Sequence, residues 1–260
     1  MNPVQAIKMA TINTAKCYGL KHLGAISPGF QADFVVLDNL QDLNVTDVFY
    51  KGKLVDRNAP IRVKTCGRAL KHTVHLDKVK AEQFVLPIGK KKTHVIGINP
   101  SQITTEDLAV SLPPAANYVP TDGYSKVAAV ERHHNTGKIG VAVAKGYGIR
   151  NGAVASSVSH DSHNIIVVGT NEEDMAFAAN HIVQNHGGIT VVEDGQVKSD
   201  VLLAIAGIMS DDSLVTVNTA LEDAKDEAFR LGVSRGIDPF MTLSFMALPV
   251  IPSLRLTTRG

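Results

Sequence analysis

The sequence predicts an α+β protein: a small β-rich region near the N-terminus, then a larger domain of mixed α/β layers. Three observations carry this. Short apolar runs bounded by glycine and polar clusters recur along the chain, the pattern of short buried strands. Two segments, after Asn171 and after Ser213, carry helical periodicity with start and stop signals. The 260 residues are 44% hydrophobic and 20% charged, enough apolar material for a sizeable core and unlike a disordered, collagen-like or coiled-coil chain.

The elements follow in order. Asn2 suits a helix cap and Pro3 a first helical position, so a helix is expected over Val4–Tyr18, with Gly19 just past its end. Val4, Ile7, Ala10, Ile12 and Ala15 give it an apolar face that needs a cover. Pro28-Gly29 marks a turn and Ala32–Leu37 a short buried strand. Val45–Tyr50 and Lys53–Val55 read as a hairpin around Lys51-Gly52. A polar, basic stretch with Pro60 and Gly67 places a domain boundary near residues 57–70.

Beyond it, strands are expected at 73–76, 94–98, 107–112, 126–131, 139–144, 153–158, 164–168 and 189–193. Those over 140–144 and 153–158 carry little side-chain bulk, which lets another layer approach closely. Asn171 caps a helix whose first turn holds Glu172, Glu173 and Asp174, and which ends at His186-Gly187-Gly188. A second helix is expected from Ser213 to Leu231, with Leu214, Val217, Leu221, Ala224, Ala228 and Leu231 as its buried stripe. Asp226 and Arg230 are four apart on its exposed side, and Gly232 or Gly236 stops it. A short helix follows Asp238-Pro239.

Charge and motifs narrow the function classes. With 26 Lys+Arg against 25 Asp+Glu, the chain lacks the basic excess of a nucleic-acid binder. No apolar run approaches the length that spans a bilayer, and the N-terminus does not read as a secretory signal. Cys17 and Cys66 are too few for a disulfide framework, so a cytoplasmic protein with free thiols is expected, Cys17 as a small core residue. Four of the ten histidines fall in two groups, Glu131-Arg132-His133-His134 and His160-Asp161-Ser162-His163-Asn164, each at the end of an expected strand. Imidazole and carboxylate suit a first-row transition metal or acid–base work. The alternative is a polar loop whose side chains satisfy backbone groups. His72 and His75 read as solvated strand residues, and His181 and His186 as surface or capping residues. Gly146 to Gly152 lacks the third glycine and the following helix of a dinucleotide loop, and no nucleophile elbow is present.

Two sets of residues carry a resemblance. Asn2–Ala15, Gly19-Leu20 and Leu23–Leu37 resemble the end of an amidohydrolase, where the last barrel helix is followed by strands of a small β-sandwich. Residues 137–148, 155–170, 205–210 and 236–252 resemble the C-terminal domain of bacterial adenine deaminases; the His-Asp-Ser-His-Asn segment is specific to that family. The resemblance implies that residues 1–20 are a last barrel helix, 21–60 a remnant of the β-sandwich, and 70–260 the adenine deaminase C-terminal α+β domain. It implies hydrolytic conversion of adenine to hypoxanthine and ammonia in the intact enzyme, with a divalent metal, manganese or iron, in a (β/α)₈ barrel. Barrel ligands in the superfamily begin with a His-x-His pair, which this sequence lacks, so none of them maps here. The chain is expected to be inactive alone.

Glu131, Arg132, His133, His134 and Asn164 are then candidates for substrate access or for an interface. His160, Asp161 and His163 are candidate metal ligands. The expected partners are the barrel domain, a second copy in a homo-oligomer, and adenine as the family's substrate; neither nucleic acid nor membrane is expected. Two other readings stay open. A stand-alone binding module would bury Val4 and Ile7 within the chain. An independent metal hydrolase would gather His133, His134, His160 and His163 around an open coordination position.

Overall fold

A computed structural model describes residues 1–59, 67–121 and 123–260; Cys66 and part of the expected boundary region lie outside the described residues. The chain divides into two compact units, Met1–Lys64 and Thr65–Gly260.

In the first unit, the Asn2 side chain accepts from the Val4 amide at 2.9 Å and Pro3 opens α1 (Pro3–Lys8). The single helix expected over Val4–Tyr18 is instead broken by a π-helical turn, Met9–Asn13, before α2 (Thr14–Cys17). The hydroxyls of Thr11 and Thr14 donate back to the carbonyls of Ile7 and Met9, both at 2.6 Å, which accompanies the widened turn. α1 buries none of its residues; Ala15 is buried in α2, and Cys17 is exposed rather than in a core. Three antiparallel strands follow, β1 (Phe34–Leu37), β2 (Val45–Tyr50) and β3 (Lys53–Leu54), in that order. Lys51 and Gly52 both take positive φ, 51° and 75°, as a tight hairpin matched to strand twist requires. Phe34 and Phe49 stack across β1 and β2 with ring centroids 4.6 Å apart.

The second unit is built on an eight-stranded sheet. Its strands are β4 (Thr93–Ile98), β5 (Thr105–Val110), β6 (Tyr124–Val130), β7 (Ile139–Lys145), β8 (Ala153–Ser156), β9 (Ile165–Gly169), β10 (Gly188–Glu193) and β11 (Gln196–Leu202). The order is β11-β10-β8-β9-β6-β7-β4-β5, antiparallel except where β4 meets β7. Alternation along the central strands feeds two cores. Val127 and Ala129, with Val154, Ile166 and Val168, pack on the face covered by α4 (Leu214–Arg230) and α5 (Pro239–Met246). Ala128 and Val130, with Ala155, Ile165 and Val167, pack against α3 (Glu172–Gln184). The fold is α+β, as expected.

Four local expectations change. Residues 73–76 form no strand; the His75 amide donates instead to the Arg132 carbonyl at 2.7 Å. β11, absent from the sequence reading, pairs with β10 through the Asp194-Gly195 turn. Leu214 is 84% exposed, because the first turn of α4 overhangs the core; Ala224, Ala228 and Leu231 are buried. Arg230 pairs with Glu193 and Glu227, each at 2.8 Å, rather than with Asp226.

The low bulk of β7 has a use. The C-terminal segment crosses Gly140 so closely that a Cβ there would lie 2.0 Å from the Thr257 carbonyl oxygen. Gly140→Ala is therefore expected to destabilise the chain by about 3 kcal/mol, the upper range for overpacking, because backbone and not a flexible side chain must move. Thermal unfolding measures it; a loss under about 0.5 kcal/mol, the ordinary surface range, would show that the tail does not rest there.

Candidate functional site

The two histidine-bearing segments meet where β6 ends and the loop after β8 returns. β6 is central and buried, so the chain leaves it with Glu131 and Arg132 still inside, 7% and 1% exposed. Glu131 folds back on its own loop. Its carboxylate accepts from the amides of His133 (2.5 Å), His134 (2.9 Å) and Thr136 (3.1 Å) and from the Thr136 hydroxyl (3.0 Å). Burial alone raises its pKa, but these four bonds together outweigh that and hold it below the ordinary carboxylate value. Glu131 is thus a loop anchor.

Arg132 reaches across to the neighbouring segments. Its Nε donates to the His163 carbonyl, one Nη to the Ala206 carbonyl at 3.0 Å, and the other faces the Thr73 carbonyl and hydroxyl at 3.5 Å. No carboxylate pairs with it among the described residues, so neutral dipoles, three carbonyls and the Thr73 hydroxyl, compensate a buried cation. Gly207 leaves the room, since a Cβ there would stand 2.6 Å from the guanidinium.

The partner loop is fixed mainly by backbone. The His163 amide donates to the Ser159 carbonyl at 2.6 Å and the His160 amide to the Ser244 carbonyl at 3.1 Å. His133 Nε2 meets the Ser162 carbonyl at 2.7 Å, and Asn164 Oδ1 accepts from the Arg132 amide at 3.4 Å. His160 and His163 stand edge to face, ring centroids 5.8 Å apart, with His160 against Phe245 at 5.1 Å. His134 and Asp161 are exposed. Among the described residues no group of three or more His, Cys, Asp or Glu is placed to hold a metal ion. The candidate ligands His160, Asp161 and His163 are therefore not gathered as a metal site, nor do His133, His134, His160 and His163 converge as the hydrolase reading requires. What the sequence presents as a polar cluster is a pair of loops tied by Glu131 and Arg132.

Three other histidines are also engaged. His72 Nδ1 and His186 Nε2 lie 3.1 Å apart, and His181 Nε2 lies 3.0 Å from Asp200. Burial, then the neighbouring His160 and Arg132, lowers the pKa of His163; burial, then His72 and His75, lowers that of His186. The sign follows. The folded state resists protonating them, so the unfolded chain takes up more protons once the pH falls below their ordinary value of 6.5. Stability is therefore expected to fall as the pH drops below 6.5. His163→Asn with His186→Asn should flatten that slope in thermal unfolding; an unchanged slope would exonerate both.

The fold and its sites define a class: a layered α+β domain whose two polar loops are tied together by Glu131 and Arg132, preceded by a helix-and-strand unit. A profile of the adenine deaminase C-terminal domain matches residues 102–260, and one of the amidohydrolase family matches residues 1–55. The chain belongs to the adenine deaminase C-terminal domain family. It is 43% identical over 259 residues to an adenine deaminase of Desulfitobacterium hafniense, covering 99% of this chain and 46% of that protein. An adenine deaminase of Nitratidesulfovibrio vulgaris is 41% identical over 266 residues, and one of Bacillus subtilis 39% over 270, each covering 100% of this chain and 46% or 47% of its own length. The chain thus spans about half the length of the curated relatives it matches.

Proposed function

We propose that this chain serves as the C-terminal part of an adenine deaminase, which converts adenine and water to hypoxanthine and ammonia. The observation that carries the reading is the alignment of proteins named adenine deaminase along its whole length, first unit included. The uncovered apolar face of α1, with Val4 51% exposed, supports a neighbour for the first unit. The described residues do not fit a metal centre, so the manganese or iron that the resemblance implies, and the water it activates, belong to the barrel. Glu131, Arg132, His133, His134 and Asn164 then act by holding two loops in shape, at substrate access or at an interface with the barrel. The setting is the cytoplasm, and the assembly a homo-oligomer through self-association, with neither nucleic acid nor membrane as partner.

The test is ammonia release from adenine with added manganese or iron, by the chain alone and with a relative's barrel portion supplied in trans. No release alone and release on mixing is the expected result. Release by the chain alone, at the rate of a full-length relative, would overturn the assignment of the chemistry to the barrel. Light scattering tests the assembly, since a clean 27.8 kDa species would exclude it.

A further inference from the structure

A cavity of about 310 Å³ opens between the β4–β5 hairpin and α5; one of its lining residues, Phe245, also touches His160 of the loop described above. That volume is at the lower end of small-ligand sites. Its walls are apolar on one side, where Ile98, Met241 and Phe245 contribute, and carry two arginines, Arg235 and Arg255.

The arginines are unequally used. Arg255 donates from Nε to the Ile251 carbonyl at 2.8 Å, and from one Nη to the carbonyls of Ile103 (2.8 Å) and Pro252 (2.9 Å). Its other Nη is buried and meets no acceptor among the described residues. Buried donors of a charged group are rarely left so, because the missing bond costs more than an ordinary one gains. Arg235 is exposed, lies over the Phe229 ring at 5.0 Å, and makes no ion pair among the described residues. The carboxylate on the cavity wall, Asp238, does not neutralise either of them. One of its oxygens accepts the Phe240 and Met241 amides at 3.0 and 2.8 Å, and the other lies 3.7 Å from the Lys225 ammonium.

An apolar wall beside two cations without carboxylate partners, one holding an unmet donor, selects a particular ligand chemistry. We propose that this cavity binds a small molecule in which an oxyanion, carboxylate or phosphate, is attached to a flat apolar body. The oxyanion accepts from Arg255 and Arg235, and the body lies against Met241 and Phe245.

Titrating the ¹⁵N-labelled 260-residue chain with phenyl phosphate, benzoate, benzamide and inorganic phosphate tests the proposal. Phenyl phosphate or benzoate is expected to shift the amides of Ile103, Gly236 and Thr242 saturably, while benzamide, neutral and of similar shape, does not. Inorganic phosphate should bind more weakly than phenyl phosphate. Arg235→Gln, on an exposed side chain, should weaken binding roughly threefold to tenfold, and Arg255→Lys roughly tenfold or more. Arg255 also ties three carbonyls, so the Arg235 variant gives the decision if Arg255→Lys fails to fold. Absence of saturable shifts with both organic anions up to about 10 mM, far weaker than a built site gives, would overturn the site. Equal binding of benzamide would overturn the role of charge, and equal binding of inorganic phosphate that of the apolar wall. Unchanged affinity in Arg235→Gln would overturn the two-arginine arrangement.

Discussion

Glu172→Gln is expected to destabilise the chain by about 3–5 kcal/mol, the range for stripping one partner from a buried ion pair, whereas Lys126→Met should stay within about 1 kcal/mol of the parent. Lys126 lies on β6 with no exposed surface, an ammonium at the centre of a sheet. It donates to Asn117 Oδ1 at 2.8 Å and to the Glu172 carboxylate, which also accepts from Asn117 Nδ2 at 3.0 Å. Removing the carboxylate's charge leaves the cation facing only amide oxygens. Removing the ammonium takes away the charge that needed compensation, and Glu172, at the start of α3 and 16% exposed, turns to water and the helix N-terminus. Burial lowers the Lys126 pKa from 10.5 to about 8. Between those values the unfolded chain holds a proton that the folded chain has released, so stability rises with pH across that window. Denaturant titrations at several pH values measure both effects. Equal losses in the two variants, or a slope that survives Lys126→Met, would refute the account.

Arg132→Met should cost about 3 kcal/mol, since the His163 and Ala206 carbonyls lose their donors inside the protein. Arg132→Lys should recover little of it: a single ammonium cannot span carbonyls on separate segments as a planar fork does. In a chain of this size the loss lowers the melting temperature by roughly 6–12 °C. Amide shifts spread over residues 133–136, 160–164 and 205–209 are the accompanying signature, because the side chain joins those stretches. If Arg132→Lys melts with the parent, charge alone accounts for the clamp and the fork geometry is irrelevant.

Features set by neighbouring residues were legible in the sequence. Asn171 caps α3 through the Asp174 amide, Asp238 caps α5, and Lys51-Gly52 turns β2 into β3, each needing only a few consecutive side chains. β11 was not legible because it is an edge strand; Ser199 interrupts its apolar face between Val197 and Val201, and the Asp194-Gly195 dipeptide was its one local signal. The residues of 73–76, expected as a strand, do not reveal that the His75 backbone turns to the Arg132 carbonyl. The candidate site was legible as residue types but not as roles. Arg132 answers to carbonyls at positions 73, 163 and 206, and the burial of Lys126 follows from a partner 46 residues away. Such pairings exist only once the sheet has brought the segments together.

The order of the eight strands also bears on how the chain acquires its shape. β4 with β5, β6 with β7, β8 with β9 and β10 with β11 are each joined to the next strand in sequence, so four ladders close with short loops. The hairpins then dock along longer-range seams, and β4 meets β7 only through Val95–Val143, Ile96–Ala144 and Gly97–Lys145. Local pairing is kinetically cheap and remote pairing slow. The β4–β5 hairpin, which carries one wall of the arginine-lined cavity, is thus joined to the rest of the sheet by three residue pairs, against four between β8 and β10 and five between β6 and β9.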